Sequence, residues 1–90
     1  MREVIGLGQL RSNACNYLER VVAGETIDVI RRGKLVARMV SPGDWGPDSG
    51  GRVGLDELRK RAGRCFDKVQ AGQTIEVIRG GAPVARIVSA

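Results

Sequence analysis

The chain contains no histidine. That removes the usual general base, the usual proton shuttle and the commonest metal ligand together. Cysteine is scarce too. Cys15 and Cys65 lack metal-ligand spacing, and in helix-like segments they read as buried free thiols rather than a disulfide. From what remains no nucleophile, base or metal cluster can be assembled, so neither catalysis nor a metal nor a cofactor is expected. No apolar run approaches the ~20 residues of a membrane span, and Met1-Arg2-Glu3 does not open a signal peptide. The expected location is the cytoplasm, with no membrane partner.

What the chain does have is repetition. Residues 2–41 and 50–89 align without a gap at an offset of 48, and about half of the aligned positions are identical. Gly6-Leu7 returns as Gly54-Leu55, Leu10-Arg11 as Leu58-Arg59 and Ala14 as Ala62. The run from Ala23 to Arg31 returns from Ala71 to Arg79 with two conservative changes, and Val36-Ala37-Arg38 returns as Val84-Ala85-Arg86. Ninety residues make one ordinary domain or two very small units, and a unit of about 40 residues seldom stands alone. The two copies are therefore expected to fold against each other, presenting one surface twice.

Charge follows the repeat. The net charge is +5 and the isoelectric point near 10.0. Seven basic and four acidic side chains fall in the first copy, eight and four in the second, while the connector holds only Asp44 and Asp48. A basic excess on both copies suits a partner with regularly spaced negative charge, such as duplex DNA.

Within each copy the pattern predicts a short extended lead, one helix and a hairpin. Leu7, Leu10, Ala14, Leu18 and Val21 recur at spacings of three and four, predicting an amphipathic helix from Leu7 to Ala23; Leu55, Leu58, Ala62, Phe66 and Val69 repeat the stripe. Gly24 and Gly72 are placed to end the helices, and Asp56 to cap the start of the second. Residues 26–30 and 35–40 alternate and are rich in β-branched side chains, joined through Arg32-Gly33, with Gly80-Gly81 as the matching turn. Glu3-Val4-Ile5 and Arg52-Val53 read as the lead strands. The division is then repeat 1 over 1–41, a linker over 42–51 rich in Gly, Pro and Asp, and repeat 2 over 52–90.

In this order the motifs resemble the prevent-host-death, or Phd/YefM, antitoxin DNA-binding domain. The resemblance rests on Gly6-Leu7-Gly8-Gln9-Leu10-Arg11-Ser12-Asn13-Ala14, on Val21 to Ile27, and on Arg31-Arg32-Gly33-Lys34-Leu35-Val36-Ala37-Arg38, all repeated almost in full in the second copy. It implies an α+β fold in which two tandem β-α-β-β units form a pseudo-two-fold antiparallel sheet with helices packed on it. It also implies an antitoxin of a type II toxin-antitoxin system, one that binds operator DNA to repress its own operon and sequesters a toxin. A PIN-domain ribonuclease is the first candidate for that toxin, with RelE-like and Doc-like proteins behind it.

The family's DNA-gripping arginines correspond to Arg11 and Arg59 on the helices and to Arg31 and Arg79 at the hairpins. Asn13, Arg32 and Arg61 complete the DNA-binding set, and the Asn13/Arg61 mismatch implies half-sites that are read differently. A guanidinium can reach phosphates and can also read guanine bidentately, whereas an arginine that caps a carboxylate does neither. Arg38 and Arg86, at inner strand positions, are expected in ion pairs or lying along apolar surface. The family's neutralising segment follows the hairpin, where this sequence reaches Ala90, so the connector is the substitute candidate. Trp45 there is either a toxin-binding anchor or a cover for the core. The competing readings are a protein-interaction module without DNA binding and a stand-alone repressor without a toxin. The assembly is either a monomeric pseudo-dimer or a homodimer.

Overall fold

The computed structural model describes residues 2–42 and 51–90. The first half runs β1 (Arg2–Gly6), α1 (Leu7–Ser12), α2 (Ala14–Val22), β2 (Thr26–Arg31) and β3 (Lys34–Val40). The second repeats it as β4 (Gly51–Gly54), α3 (Leu55–Lys60), α4 (Ala62–Gln70), β5 (Ile75–Arg79) and β6 (Ala82–Ser89). All six strands join one sheet in the order β1-β2-β3-β6-β5-β4.

The sheet is mixed, which corrects the antiparallel expectation. β1 pairs with β2, and β4 with β5, in parallel, because the helices between them carry the chain back to re-enter the sheet in the same direction. The hairpin pairings β2–β3 and β5–β6 are antiparallel, and so is the β3–β6 pairing that joins the halves. At that seam Arg38 faces Val88, Met39 faces Ile87 and Val40 faces Arg86. Met39–Ile87 is its own image under the 48-residue offset and the other two pairs are images of each other, so a pseudo-dyad passes between Met39 and Ile87.

The helix expected from Leu7 to Ala23 is two helices, broken at Asn13 (φ −141°, ψ 38°), and the second breaks at the matching Arg61 (φ −125°, ψ 37°). The break escapes the sequence pattern because the helical bonding steps across it. Asn13 N–H donates to the Gln9 carbonyl, and Tyr17 N–H to that of Asn13, which keeps the apolar stripe in phase. Ser12 Oγ also donates to the Gly8 carbonyl at 3.0 Å, a bond that bends helices, but the second half breaks without it. A second correction concerns the start of α3, where Gly54 is the N-cap and Asp56 lies inside the first turn, complementing the helix dipole.

The helix ends match their prediction. Gly24 (φ 103°) and Gly72 (φ 101°) take the left-handed conformation that favours glycine. Glu25 N–H reaches back to the Arg20 carbonyl and Gly24 N–H to that of Val21, the paired bonds of a Schellman motif, and Gln73 and Gly72 repeat them.

Each half lends its helix to the other's hairpin. α2 packs on β6 as well as β2, α4 packs on β3 as well as β5 and β6, and α1 meets α3 across the dyad. The result is one core. Its ten buried apolar positions in the first half, from Ile5 to Met39, each recur 48 residues later, from Val53 to Ile87. Size is exchanged between neighbours: Tyr17 and Leu18 stand where the second half has Cys65 and Phe66. Truncating a buried residue such as Phe66 to alanine removes about 3–5 kcal/mol, comparable with the whole ~5 kcal/mol stability of a domain near the lower end. Neither half has such surplus to fold alone. One thiol differs from expectation: Cys65 is buried but Cys15 is exposed, because it lies on α2 away from the apolar stripe.

Both hairpins turn through two residues of positive φ, Arg32-Gly33 (56° and 79°) and Gly80-Gly81 (62° and 82°). Glycine tolerates this freely; Arg32 does not. Arg32→Gly is expected to stabilise the fold by about 1 kcal/mol, raising Tm by roughly 5 °C. Calorimetry on the two proteins checks this, and an unchanged or lower Tm would mean that the Arg32 side chain makes up for its backbone strain.

Candidate nucleic-acid interface

Among the described residues six arginines and six carboxylates neutralise one another in ion pairs, and their layout decides which cations remain free. Two pairs lie on the sheet face opposite the helices. Asp28 and Arg38 are directly opposed on β2 and β3, with Nε 2.9 Å from the carboxylate, and Glu76 and Arg86 repeat the pairing on β5 and β6 at 3.3 Å. Arg38 and Arg86 thus hold the ion-pair positions expected of them. At the sheet edges Arg20 binds both Glu3 and Glu25, and Arg52 binds Glu76 at 3.2 Å.

Arg31 and Arg79 are engaged across the halves. Arg31 Nη1 donates to Asp67 on α4 at 2.6 Å and to Gln70 Oε1 at 3.0 Å. Arg79 Nη1 donates to Glu19 on α2, also at 2.6 Å. Glu19 and Asp67 are matching positions, so the two bonds are images of each other under the pseudo-dyad. Each arginine reaches from its own hairpin to the helix that the other half has laid over it. As partly exposed pairs they contribute about 0.2–1 kcal/mol each; their weight lies in fixing how the halves meet.

Arg11 and Arg59 make no ion pair among the described residues. They line a groove where α1 and α3 meet, together with Gly8, Ser12, Asp56 and Lys60. Those six residues are three matched pairs, so the groove straddles the pseudo-dyad and presents one arginine from each side. Asn13 and Arg61 occupy the helix breaks just beyond it, both exposed. Arg32 sits apart, on the first hairpin tip with Lys34, beside the end of α4. Trp45 lies outside the described residues.

The sequence reading missed two features. Lys60 joins the groove although its counterpart is Ser12, and comparing the copies for mismatches rather than identities would have found it. A cleft flanked by Arg52, Arg61, Arg64 and Lys68 ends on Cys65, where Tyr17 stands in the first half. Burial pushes the Cys65 thiol pKa up from its ordinary value, reinforced by nearby Glu57 and opposed by Lys68. No group of three or more metal-ligating side chains occurs among the described residues, and no helix there is long and apolar enough to cross a membrane.

No family model matches the chain, and no solved structure is similar to it. A stretch of 38 residues, 42% of this chain, is 50% identical to antitoxin VapB47 of Mycobacterium tuberculosis, and equally to an uncharacterized protein, Mb3441, of Mycobacterium bovis. The match spans 38% of the length of those relatives. It is about as long as one half of the present chain.

The contrast between the thiols is directly measurable. At pH 8 iodoacetamide is expected to alkylate Cys15 within minutes and leave Cys65 intact until denaturant is added, read as a single adduct by mass spectrometry. Rapid double alkylation of the native protein would contradict the burial of Cys65. Because its thiol pKa is raised on folding, this group's contribution is complete below the ordinary thiol value of 9.0 and declines as the pH climbs past it.

Proposed function

We propose that the chain is an antitoxin of a type II toxin-antitoxin system that binds operator DNA through the α1–α3 groove, represses its own operon and sequesters a toxin. The observation that carries the reading is the pair Arg11 and Arg59, one on either side of the pseudo-dyad, which make no ion pair among the described residues while most other arginines are neutralised. The partial identity to antitoxin VapB47 supports the antitoxin class. A PIN-domain ribonuclease remains the first candidate toxin, with RelE-like and Doc-like proteins behind it.

Duplex DNA fits because its two strands offer phosphates and base edges related by dyads, which a two-sided groove can engage from both flanks. Arg11 and Arg59 are the central contacts in this reading, with Asn13 and Arg61 beside them and Arg32 reaching outward from the hairpin tip. Arg31 and Arg79 reach DNA only by exchanging their carboxylates for phosphate, so their main task is to hold the halves in register. Trp45 is the proposed toxin anchor, in the segment that joins the repeats.

Gel-shift titration on the DNA upstream of the chain's own coding region tests the first half of the proposal, and co-purification with the neighbouring gene product tests the second. Arg11→Ala and Arg59→Ala should each weaken specific binding by about 1–3 kcal/mol and flatten the dependence of affinity on salt by about one unit of slope. Wild-type affinity in both variants, or no specific retardation by the parent protein, would exclude the groove as the DNA site.

A further inference from the structure

The pseudo-dyad that relates the backbones and the cores does not relate the charges around the groove. Gly8, Ser12 and Asn13 in the first half stand opposite Asp56, Lys60 and Arg61 in the second. The hairpin tips differ the other way, with Arg32 and Lys34 in the first half against Gly80 and Ala82 in the second. One half therefore brings a lightly charged helix and a cationic tip, the other a helix carrying both signs of charge with a cation at its break, and a neutral tip. None of these cations is in an ion pair among the described residues. The ten matched core positions, by contrast, are apolar in both halves.

A homodimer of single units must present identical groups on both sides of its axis, and so it reads a palindrome. A single chain carrying both units is free of that requirement. Resting on the DNA-binding reading above, we propose that this protein recognises a non-palindromic duplex site in one fixed orientation, with Asn13 and Arg61 telling the two half-sites apart. The asparagine amide offers one donor and one acceptor, the pattern of an adenine edge in the major groove. The arginine offers donors alone, which suits guanine or a phosphate. The half-site under the first copy is accordingly the adenine-bearing one.

The chain supplies its own directional marker. Cys15 is exposed, follows Arg11 by about one helical turn, and is matched in the second half by Gly63, while Cys65 is buried. An iron chelate attached to Cys15 therefore marks only the first half and cuts the DNA beside it. Duplex sites selected from a random pool are expected to show two unlike half-sites, with cleavage flanking one of them at least ten-fold over the other. The exchanged variant Asn13→Arg with Arg61→Asn alters only exposed side chains, and on the same DNA it should move the cleavage to the opposite half-site. Equal cleavage on both sides of a tightly bound site, or a palindromic selected sequence, would overturn the proposal and leave DNA binding standing. Failure to select any duplex would overturn both.

Discussion

Met39 and Ile87 face each other where β3 meets β6, and around that pair two units too small to fold separately become one sheet. The strand pairing brings the two hairpins together, and the helices then cover strands of both halves: α2 lies on β6 and α4 on β3. Burial drives this exchange, since the apolar stripe of each helix needs more sheet than its own hairpin provides. The reciprocal bonds Arg31–Asp67 and Arg79–Glu19 add little energy but close the clasp at both ends with the same geometry.

The groove is a by-product of that clasp. Breaking each helix at Asn13 and Arg61 frees the first segments, α1 and α3, to meet over the dyad while the second segments stay on the sheet. Charge then sorts itself by position. Arginines on the sheet face opposite the helices and at the seams find carboxylates, and among the described residues those on the meeting helices do not. A free cation on each side of an axis is what a duplex can use, and it exists here only because the two copies are held together.

Much of this was legible in the sequence, for definable reasons. The repeat, the apolar stripes, the αL glycines and the hairpin turns are local signals, and the structure follows each of them. Three features depend on non-local facts. The parallel pairing of β1 with β2 is set by how the helix crosses over, which strand composition does not encode. The helix break leaves the phase of the stripe unchanged, so periodicity passes over it. The partners of Arg31 and Arg79 lie 36 and 60 residues away in sequence, and only the fold brings them within reach. At the site, identity between the copies drew attention to Arg11 and Arg59, whereas Lys60 became visible only once α1 and α3 were seen side by side.

The claim on which the rest stands is that the halves form a single cooperative unit. Native-state amide hydrogen exchange measures it most directly, by comparing Val29 in the first half, Val77 in the second and Val40 and Val88 at the seam. The account predicts that the slowest amides of both halves share one opening free energy and one dependence on denaturant. If the first half exchanged through an opening that left the second protected, or the reverse, the halves would be independent and the shared groove would lose its physical basis.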